Sequence, residues 1–289
     1  MAEFTPMMQQ YLQTKEEYKD CILFYRLGDF YEMFFEDAEL VSKELELTLT
    51  GKNCGMEERA PMCGIPYHAV EGYLNKLVAN GHKVAICEQV EDPKLAKGLV
   101  RREVIRIVTP GTNLDMQALD ESKNNYIMCI VYLADRYGVS IADVSTGDYY
   151  VTEVDSERKL FDEITKFSPS EIICNESFYM SGVDIEDLRH RLKITIYALE
   201  TWYFGDELAE TTLLTHFKVK SLEALGLADY DCGMIAAGAL LKYLYETQKN
   251  DLNNISVIHP YSTGKYMIID SSTRRNLELT ETLREKQKR

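Results

Sequence analysis

The sequence predicts an α/β protein that consists of two units and the beginning of a third. Helix-like and strand-like segments alternate through residues 1–112, whereas three strand-like segments follow one another closely from Tyr126 onward. Such mixtures are typical of domains in which helices cover a sheet. The length of 289 residues agrees with two domains of about 100–200 residues each. A hydrophobic content of 45% allows each unit to bury a core.

The first unit is expected to be a mixed-sheet domain over residues 1–112. A loose helical stripe over residues 7–19 follows Pro6, a common helix-start residue. Residues 21–27 favour a strand, Gly28-Asp29 a turn, and residues 30–34 a second strand. The later elements are expected to be a helix from about Glu36, a long loop over 53–66, a helix over 68–80 ended by Gly81, and strands over 83–90 and 104–108.

A polar linker, residues 113–125, is predicted to lead to a second unit over residues 126–250. Tight polar breaks between its first three strands favour an antiparallel meander. The order of meander, helix, strand and helix predicts a ribonuclease-H-like α/β domain. The elements are predicted as strands over 126–133, 138–143, 147–154 and 171–174 and helices over 156–167 and 229–248.

Residues 251–289 read as the start of a further, helical core region. Met267–Ile269 is strand-like and Thr273–Arg284 is helical. The segment offers too little apolar surface to form a domain of its own, so we expect the chain to be part of a longer protein.

The net charge of −15 argues against a general nucleic-acid coat, because phosphate contacts require Lys and Arg. A local site is still possible, since residues 94–106 hold five cations against the single acid Glu103. The alternative is that this segment is a solvated loop and strand edge. This basic cluster consists of Lys94, Lys97, Arg101, Arg102 and Arg106.

Several other functions find no support in the sequence. It contains no P-loop, no GxGxxG and no GxSxG motif, so we expect no ATP binding or catalysis by these residues alone. Seven scattered cysteines without a CxxC pair indicate reduced thiols in a cytoplasmic protein and no metal site. Asp143 and Asp148 are candidate nuclease ligands, but turn residues of this type are more often structural. No signal peptide or membrane span is indicated.

Phe30 and Glu32 form the most specific candidate site. Side chains alternate along a strand, so these two share a face while Tyr31 points away. An exposed ring can wedge into a base step from the minor groove, and a carboxylate can accept a hydrogen bond from a base edge. The alternative is that Phe30 is a core residue and Glu32 a solvated neighbour, and these two residues alone favour that alternative.

The motifs around Phe30 resemble those of the bacterial MutS family of mismatch-recognition proteins, and they occur in the same order. The resemblance is strongest at residues 5–112 and 266–283. The motifs are TPMMQQYL at 5–12, LFYRLGDFYEMF at 23–34, GIPYHAV at 64–70, VAICEQ at 84–89, RIVTPGT at 106–112 and DSSTRRNLELT at 270–280.

The resemblance implies a mismatch-binding domain over 1–112, a connector domain without nuclease function over 126–250, and the start of the core and lever region from 251. It implies that Phe30 stacks beside a mispaired base in DNA and that Glu32 hydrogen-bonds to that base. It further implies that the whole protein is a homodimer that uses ATP and Mg²⁺ and recruits a MutL-type partner in the nucleoid-associated cytoplasm. The competing class is an acidic protein–protein interaction module that never contacts DNA.

Overall fold

The computed structural model describes residues 3–91, 98–113 and 124–263, together with 273, 276 and 277. It divides into two compact units, one formed by Met1–Lys123 with Leu244–Leu252 and the other by Asn124–Tyr243 with Asn253–Arg289. Each unit contains a six-stranded sheet, which confirms the predicted α/β class. Most of the predicted linker and the elements predicted beyond residue 263 lie outside the described residues.

The sheet of the first unit has the strand order β3-β4-β2-β1-β5-β6. Strands β1 and β5 are parallel, and the other neighbours are antiparallel. The described elements are α1 (Pro6–Glu17), β1 (Ile22–Leu27), β2 (Phe30–Phe34), α2 (Phe35–Glu44), β3 (Thr50–Lys52), β4 (Ala60–Pro66), α3 (Val70–Ala79), β5 (Val84–Gln89) and β6 (Arg102–Val108).

This sheet buries a core on each face, because successive side chains of a strand point to opposite sides. Tyr31 and Met33 of β2 belong to the core that the sheet forms with α2 and α3. Phe34, by contrast, packs with α1 on the other face, where its ring lies 4.8 Å from that of Tyr11 in an edge-to-face contact. The face that α1 covers is called the α1 face below.

The prediction of a long loop over residues 53–66 was wrong, because strand β4 occupies Ala60–Pro66. Two prolines and two glycines within these residues suggested a loop. In the sheet, however, each proline is paired on one side only, Pro61 with Gly51 of β3 and Pro66 with Phe30 of β2. A missing N–H is tolerated at such positions.

The second unit begins with the predicted antiparallel meander, β7-β8-β9. Strands β10 and β11 extend the sheet in parallel beside β7, in the order β11-β10-β7-β8-β9-β12. The described elements are β7 (Tyr126–Leu133), β8 (Arg136–Asp143), β9 (Asp148–Val154), α4 (Glu157–Phe167), β10 (Glu171–Cys174), α5 (Ile185–His190), β11 (Thr195–Ala198), α6 (Asp206–Phe217), α7 (Asp231–Gln248) and β12 (His259–Pro260).

The seven cysteines are free and buried. Burial raises the pKa of Cys21 and of Cys87 to about 12, so both are held as thiols and not as reactive thiolates. Among the described residues, no cluster of three or more His, Cys, Asp or Glu side chains could hold a metal ion. In the same part of the chain, no helix combines the length and apolar character needed to cross a bilayer.

Candidate nucleic-acid interface

Phe30 begins β2 directly after the turn that joins it to β1. Leu27 pairs with Phe30 across the hairpin, so the turn consists of Gly28 and Asp29. Gly28 adopts a φ of +59°, a conformation that suits glycine at the first central position of a tight hairpin turn. The backbone N–H of Tyr67 donates to the carbonyl of Asp29 at 3.0 Å and ties the turn to the end of β4. The ring of Phe30 is therefore carried on a hydrogen-bonded corner of the sheet.

Exposure along the α1 face of β2 changes sharply from one end of the strand to the other. Phe34 is 1% exposed beneath α1, whereas Phe30 is 46% exposed. Glu32 lies between them, with 16% of its side chain exposed. Phe30 and Glu32 thus share one face as predicted, and the ring of Phe30 projects from the core and does not fill it.

Gly64 of β4 lies beside this pair. It is the residue that pairs with Glu32 across the sheet. A Cβ atom at position 64 would lie 3.6 Å from Cγ of Glu32 and 3.9 Å from Cδ1 of Phe30. Both side chains therefore lie close over the glycine backbone.

Lys52 is the charged partner of Glu32. Its ammonium forms an ion pair with Oε2 of the carboxylate and lies 5.7 Å from the centroid of the Phe34 ring. The prediction from sequence did not include Lys52, because its strand β3 has only three residues and no periodic signal. A register for the β3–β4 hairpin would have been needed to find it.

Arg26 supports the turn that carries Phe30. Its Nε donates to the carbonyl of Gly28 at 2.5 Å, and its guanidinium lies 3.8 Å from the centroid of the Tyr67 ring. Glu88 of β5 pairs with Arg26 at 3.3 Å and accepts a hydrogen bond from the hydroxyl of Tyr31. Burial, together with the bond to Glu88, raises the pKa of Tyr31, so this hydroxyl stays a donor. These contacts favour a fixed hairpin geometry over a mobile one.

The basic cluster is only partly within the described residues, because Lys94 and Lys97 lie outside them. Of the three members that the structure describes, Arg101 is the one with an exposed head group. Its side chain is 68% exposed and forms a 3.2 Å ion pair with Glu103, which is itself exposed. Pairs of this kind are weak, so Arg101 is free to exchange its partner for a phosphate.

Arg102 and Arg106 both bind within the first unit. Arg102 donates to the carbonyl of Arg26 at 2.8 Å and to Oε1 of Gln10 at 3.0 Å. Arg106 donates from Nη2 to the carbonyl of Thr112 at 3.2 Å, and burial lowers its pKa from the usual value. Their hydrogen bonds connect β6 to its surroundings, so replacing either arginine affects folding as well as charge.

Asp143, at the end of β8, is one of the two candidate nuclease ligands. It is fully buried, and Oδ1 accepts from the N–H and hydroxyl of Ser145, at 2.8 and 2.5 Å, and from the N–H of Thr146 at 3.3 Å. Oδ2 accepts from the N–H of Asn125 at 3.1 Å. Asp148, at the start of β9, accepts from Nδ2 of Asn124 at 3.1 Å. The contacts of Asp143 are those of a buried turn cap.

Two protein-family models match the chain. The model of MutS domain I matches residues 5–117, and that of MutS domain II matches residues 125–256. The DNA mismatch repair protein MutS of Lachnoclostridium phytofermentans is 67% identical over 289 residues, and that of Acetivibrio thermocellus is 53% identical over 292 residues. These alignments cover 100% of this chain but 31% and 33% of the two relatives. The chain spans about a third of the length of the curated relatives it matches.

Proposed function

Because the chain belongs to the MutS family of DNA mismatch repair proteins, we propose that its first unit recognises mismatched base pairs and small loops in duplex DNA. The observation that carries the proposal is the 46% exposure of Phe30 at the hairpin corner of β2. An aromatic ring held outside the core on a rigid strand is suited to enter a base step. Phe30 is the wedge in this proposal, and Glu32 is the group that contacts the base.

The wedge discriminates through the energy needed to open the base stack. Inserting an apolar side chain costs a few kcal/mol of unstacking per base step and kinks the duplex. A faulty pair is already weakly stacked and paired, so the cost is lower there. The preference for a mismatch is the difference between these two costs, and it does not depend on reading a particular sequence.

Glu32 adds an acceptor beside the wedge. A carboxylate repels phosphate, so its use lies in accepting a hydrogen bond from an N–H group on a base edge. Displaced, mispaired bases expose such groups, whereas bases in intact pairs have their pairing donors satisfied. Glu32 therefore reinforces the selection that Phe30 makes.

The other roles that we propose are based on membership of the MutS family, and they concern a polypeptide longer than these 289 residues. Residues 1–112 would bind the mismatch, residues 126–250 would serve as the connector that contacts a MutL-type protein, and residues from 251 would begin the core region. The full assembly would be a homodimer in the cytoplasm, with ATP and Mg²⁺ bound outside these 289 residues, since the sequence holds no P-loop motif.

Fluorescence anisotropy with the complete gene product tests the proposed function. A labelled duplex with one G·T pair is compared with the matched G·C duplex of the same sequence. We expect tighter binding to the G·T duplex. Equal affinity for both would reject mismatch recognition and would favour the alternative of an acidic interaction module.

The isolated 289-residue chain is expected to bind a G·T duplex weakly or not at all. Its net charge of −15 opposes DNA, and it spans about a third of the length of its relatives. Without the remaining DNA-encircling parts, the probe has little to hold it against the duplex. Tight and mismatch-selective binding by the isolated chain in the same anisotropy assay would contradict this prediction.

Replacing the basic cluster with glutamine is expected to flatten the salt dependence of DNA binding by the complete gene product. Each lost phosphate contact lowers the slope of log K against log salt by about one. Arg101 alone should account for part of the change without loss of stability, because its side chain is exposed. An unchanged slope, with the protein still folded, would show that the cluster makes no phosphate contacts.

A further inference from the structure

The ion pair between Lys52 and Glu32 has a consequence for how the candidate probe works. Within the described part of the chain, Lys52 is the one side chain that hydrogen-bonds the Glu32 carboxylate, and it binds through Oε2. Oε1 therefore remains available to accept a further hydrogen bond. The Glu32 side chain is 16% exposed, and its Cγ lies near Gly64 together with Cδ1 of the Phe30 ring.

A carboxylate without a counter-charge is electrostatically unfavourable close to DNA. Phe30 can enter a base step only if Glu32 approaches the same groove, because both side chains lie on one face of β2 and both lie near Gly64 of the neighbouring strand, at 3.6 Å and 3.9 Å from the position of a Cβ there. The duplex carries one negative charge per about 1.7 Å of helix axis, so an uncompensated carboxylate is repelled there. A bound ammonium removes most of that repulsion, since the pair presents no net charge.

Lys52 also limits the positions that the carboxylate can take. The ammonium reaches across β4 to Glu32 and lies over the buried ring of Phe34, at 5.7 Å from the ring centroid. A cation near an aromatic face gains additional stabilisation. The 32% exposure of the Lys52 side chain is about half that of the surface residue Lys19, at 67%. These contacts hold the pair in one arrangement before DNA arrives.

We propose that Lys52 is a positioning and specificity-determining residue for mismatch recognition, which acts by neutralising Glu32 and orienting it toward the base. The inference rests on the proposed function of Phe30 and Glu32. It goes beyond that function by assigning the neutralisation of the Glu32 carboxylate to a third residue, which lies on another strand. In this account Lys52 does not contact DNA and acts only through Glu32.

The competing role for Lys52 is direct binding of a DNA phosphate. The two roles differ in their dependence on Glu32. A phosphate contact contributes equally whether position 32 is charged or not, and its loss lowers the salt slope by about one. If Lys52 acts only through Glu32, replacing Lys52 has no further effect once the Glu32 carboxylate has been removed.

A double-mutant cycle on the complete gene product separates these roles. The variants are Lys52→Gln, Glu32→Gln, the double variant and Lys52→Arg, each measured by anisotropy with G·T and matched duplexes at several salt concentrations. Lys19→Gln serves as the control for loss of a lysine elsewhere on the same unit. Thermal unfolding of each variant verifies that the first unit is folded.

We expect Lys52→Gln to lower the preference for the G·T duplex by about tenfold, and by less than about twofold in the Glu32→Gln background. Lys52→Arg should retain most of the preference, because arginine also pairs with carboxylates. Lys19→Gln should leave it unchanged. Additive effects of Lys52→Gln and Glu32→Gln, or a loss confined to the salt slope, would overturn the inference in favour of a phosphate contact.

Failure of this inference is distinguishable from failure of the proposed function. If the unchanged protein shows a mismatch preference that Phe30→Ala removes and Lys52→Gln leaves intact, only the role of Lys52 is rejected. If the unchanged protein shows no preference at all, the proposed function and the role of Lys52 are both rejected.

Discussion

Replacing Phe30 with alanine is expected to abolish the preference of the complete gene product for mismatched over matched DNA. The substitution removes the only part of the residue that can enter a base step. It should cost little stability, since the ring is 46% exposed and fills no core. We expect a loss of about 1 kcal/mol in the free energy of unfolding, roughly half of what a fully buried phenylalanine contributes, because 46% of the residue stays exposed after folding.

Phe34→Ala is the matched control, because Phe34 is the same residue type on the same strand and the same face. Its ring is 1% exposed and lies 4.8 Å from Tyr11 in an edge-to-face contact. Burial of this kind predicts a loss of about 3–5 kcal/mol in the free energy of unfolding, measured by denaturant titration of the 289-residue chain. If Phe30→Ala destabilised the chain as much as Phe34→Ala, Phe30 would be a core residue.

Asp143→Ala is expected to destabilise the second unit strongly. The carboxylate of Asp143 accepts from three backbone N–H groups, those of Asn125, Ser145 and Thr146, at a fully buried position. Losing this acceptor costs about 1–3 kcal/mol for the buried N–H of Asn125 and about 0.5–1.5 kcal/mol for each N–H of the exposed residues Ser145 and Thr146, so a total loss of about 2–6 kcal/mol is expected in denaturant unfolding.

Asp148→Ala is the control for this substitution, since Asp148 accepts from an exposed side-chain amide of Asn124. It should cost less than about 1 kcal/mol, as surface substitutions usually do. An Asp143→Ala variant that kept its stability would contradict the role of Asp143 as a turn cap. The interpretation as a metal ligand for a nuclease would then regain weight.

The elements that the sequence predicted well are those with a strong local signal. The meander β7-β8-β9 was found from apolar strands separated by tight polar turns, and β10 was found with its bounds of Glu171–Cys174. Gly81 was predicted as a left-handed helix cap, and it has a φ of +88°. Elements β4 and β11 were missed, because the first contains two prolines and a glycine and the second buries only Ile196 of its four residues, whereas β10 buries all four.

In the candidate site, too, the features that were predicted are the local ones. Alternation along one strand was enough to put Phe30 and Glu32 on one face, since that relation is local. The exposure of Phe30 and the partner of Glu32 depend on strand pairing. Lys52 comes from a strand two positions away in the sheet, and Phe34 packs against α1 whereas Phe30 is 46% exposed. Such relations arise only when distant segments pack, and no single segment encodes them.

The most direct test of the account is the fluorescence of 2-aminopurine placed in a mispair and bound by the complete gene product. 2-Aminopurine fluoresces weakly when it is stacked in a duplex, and its fluorescence changes when a neighbouring base step is opened. If Phe30 is the wedge, binding changes the signal of the mispaired base, the matched duplex shows no such change, and Phe30→Ala removes the change while the protein is still folded. The same change with Phe30→Ala would contradict the assignment of Phe30 as the residue that probes the mismatch.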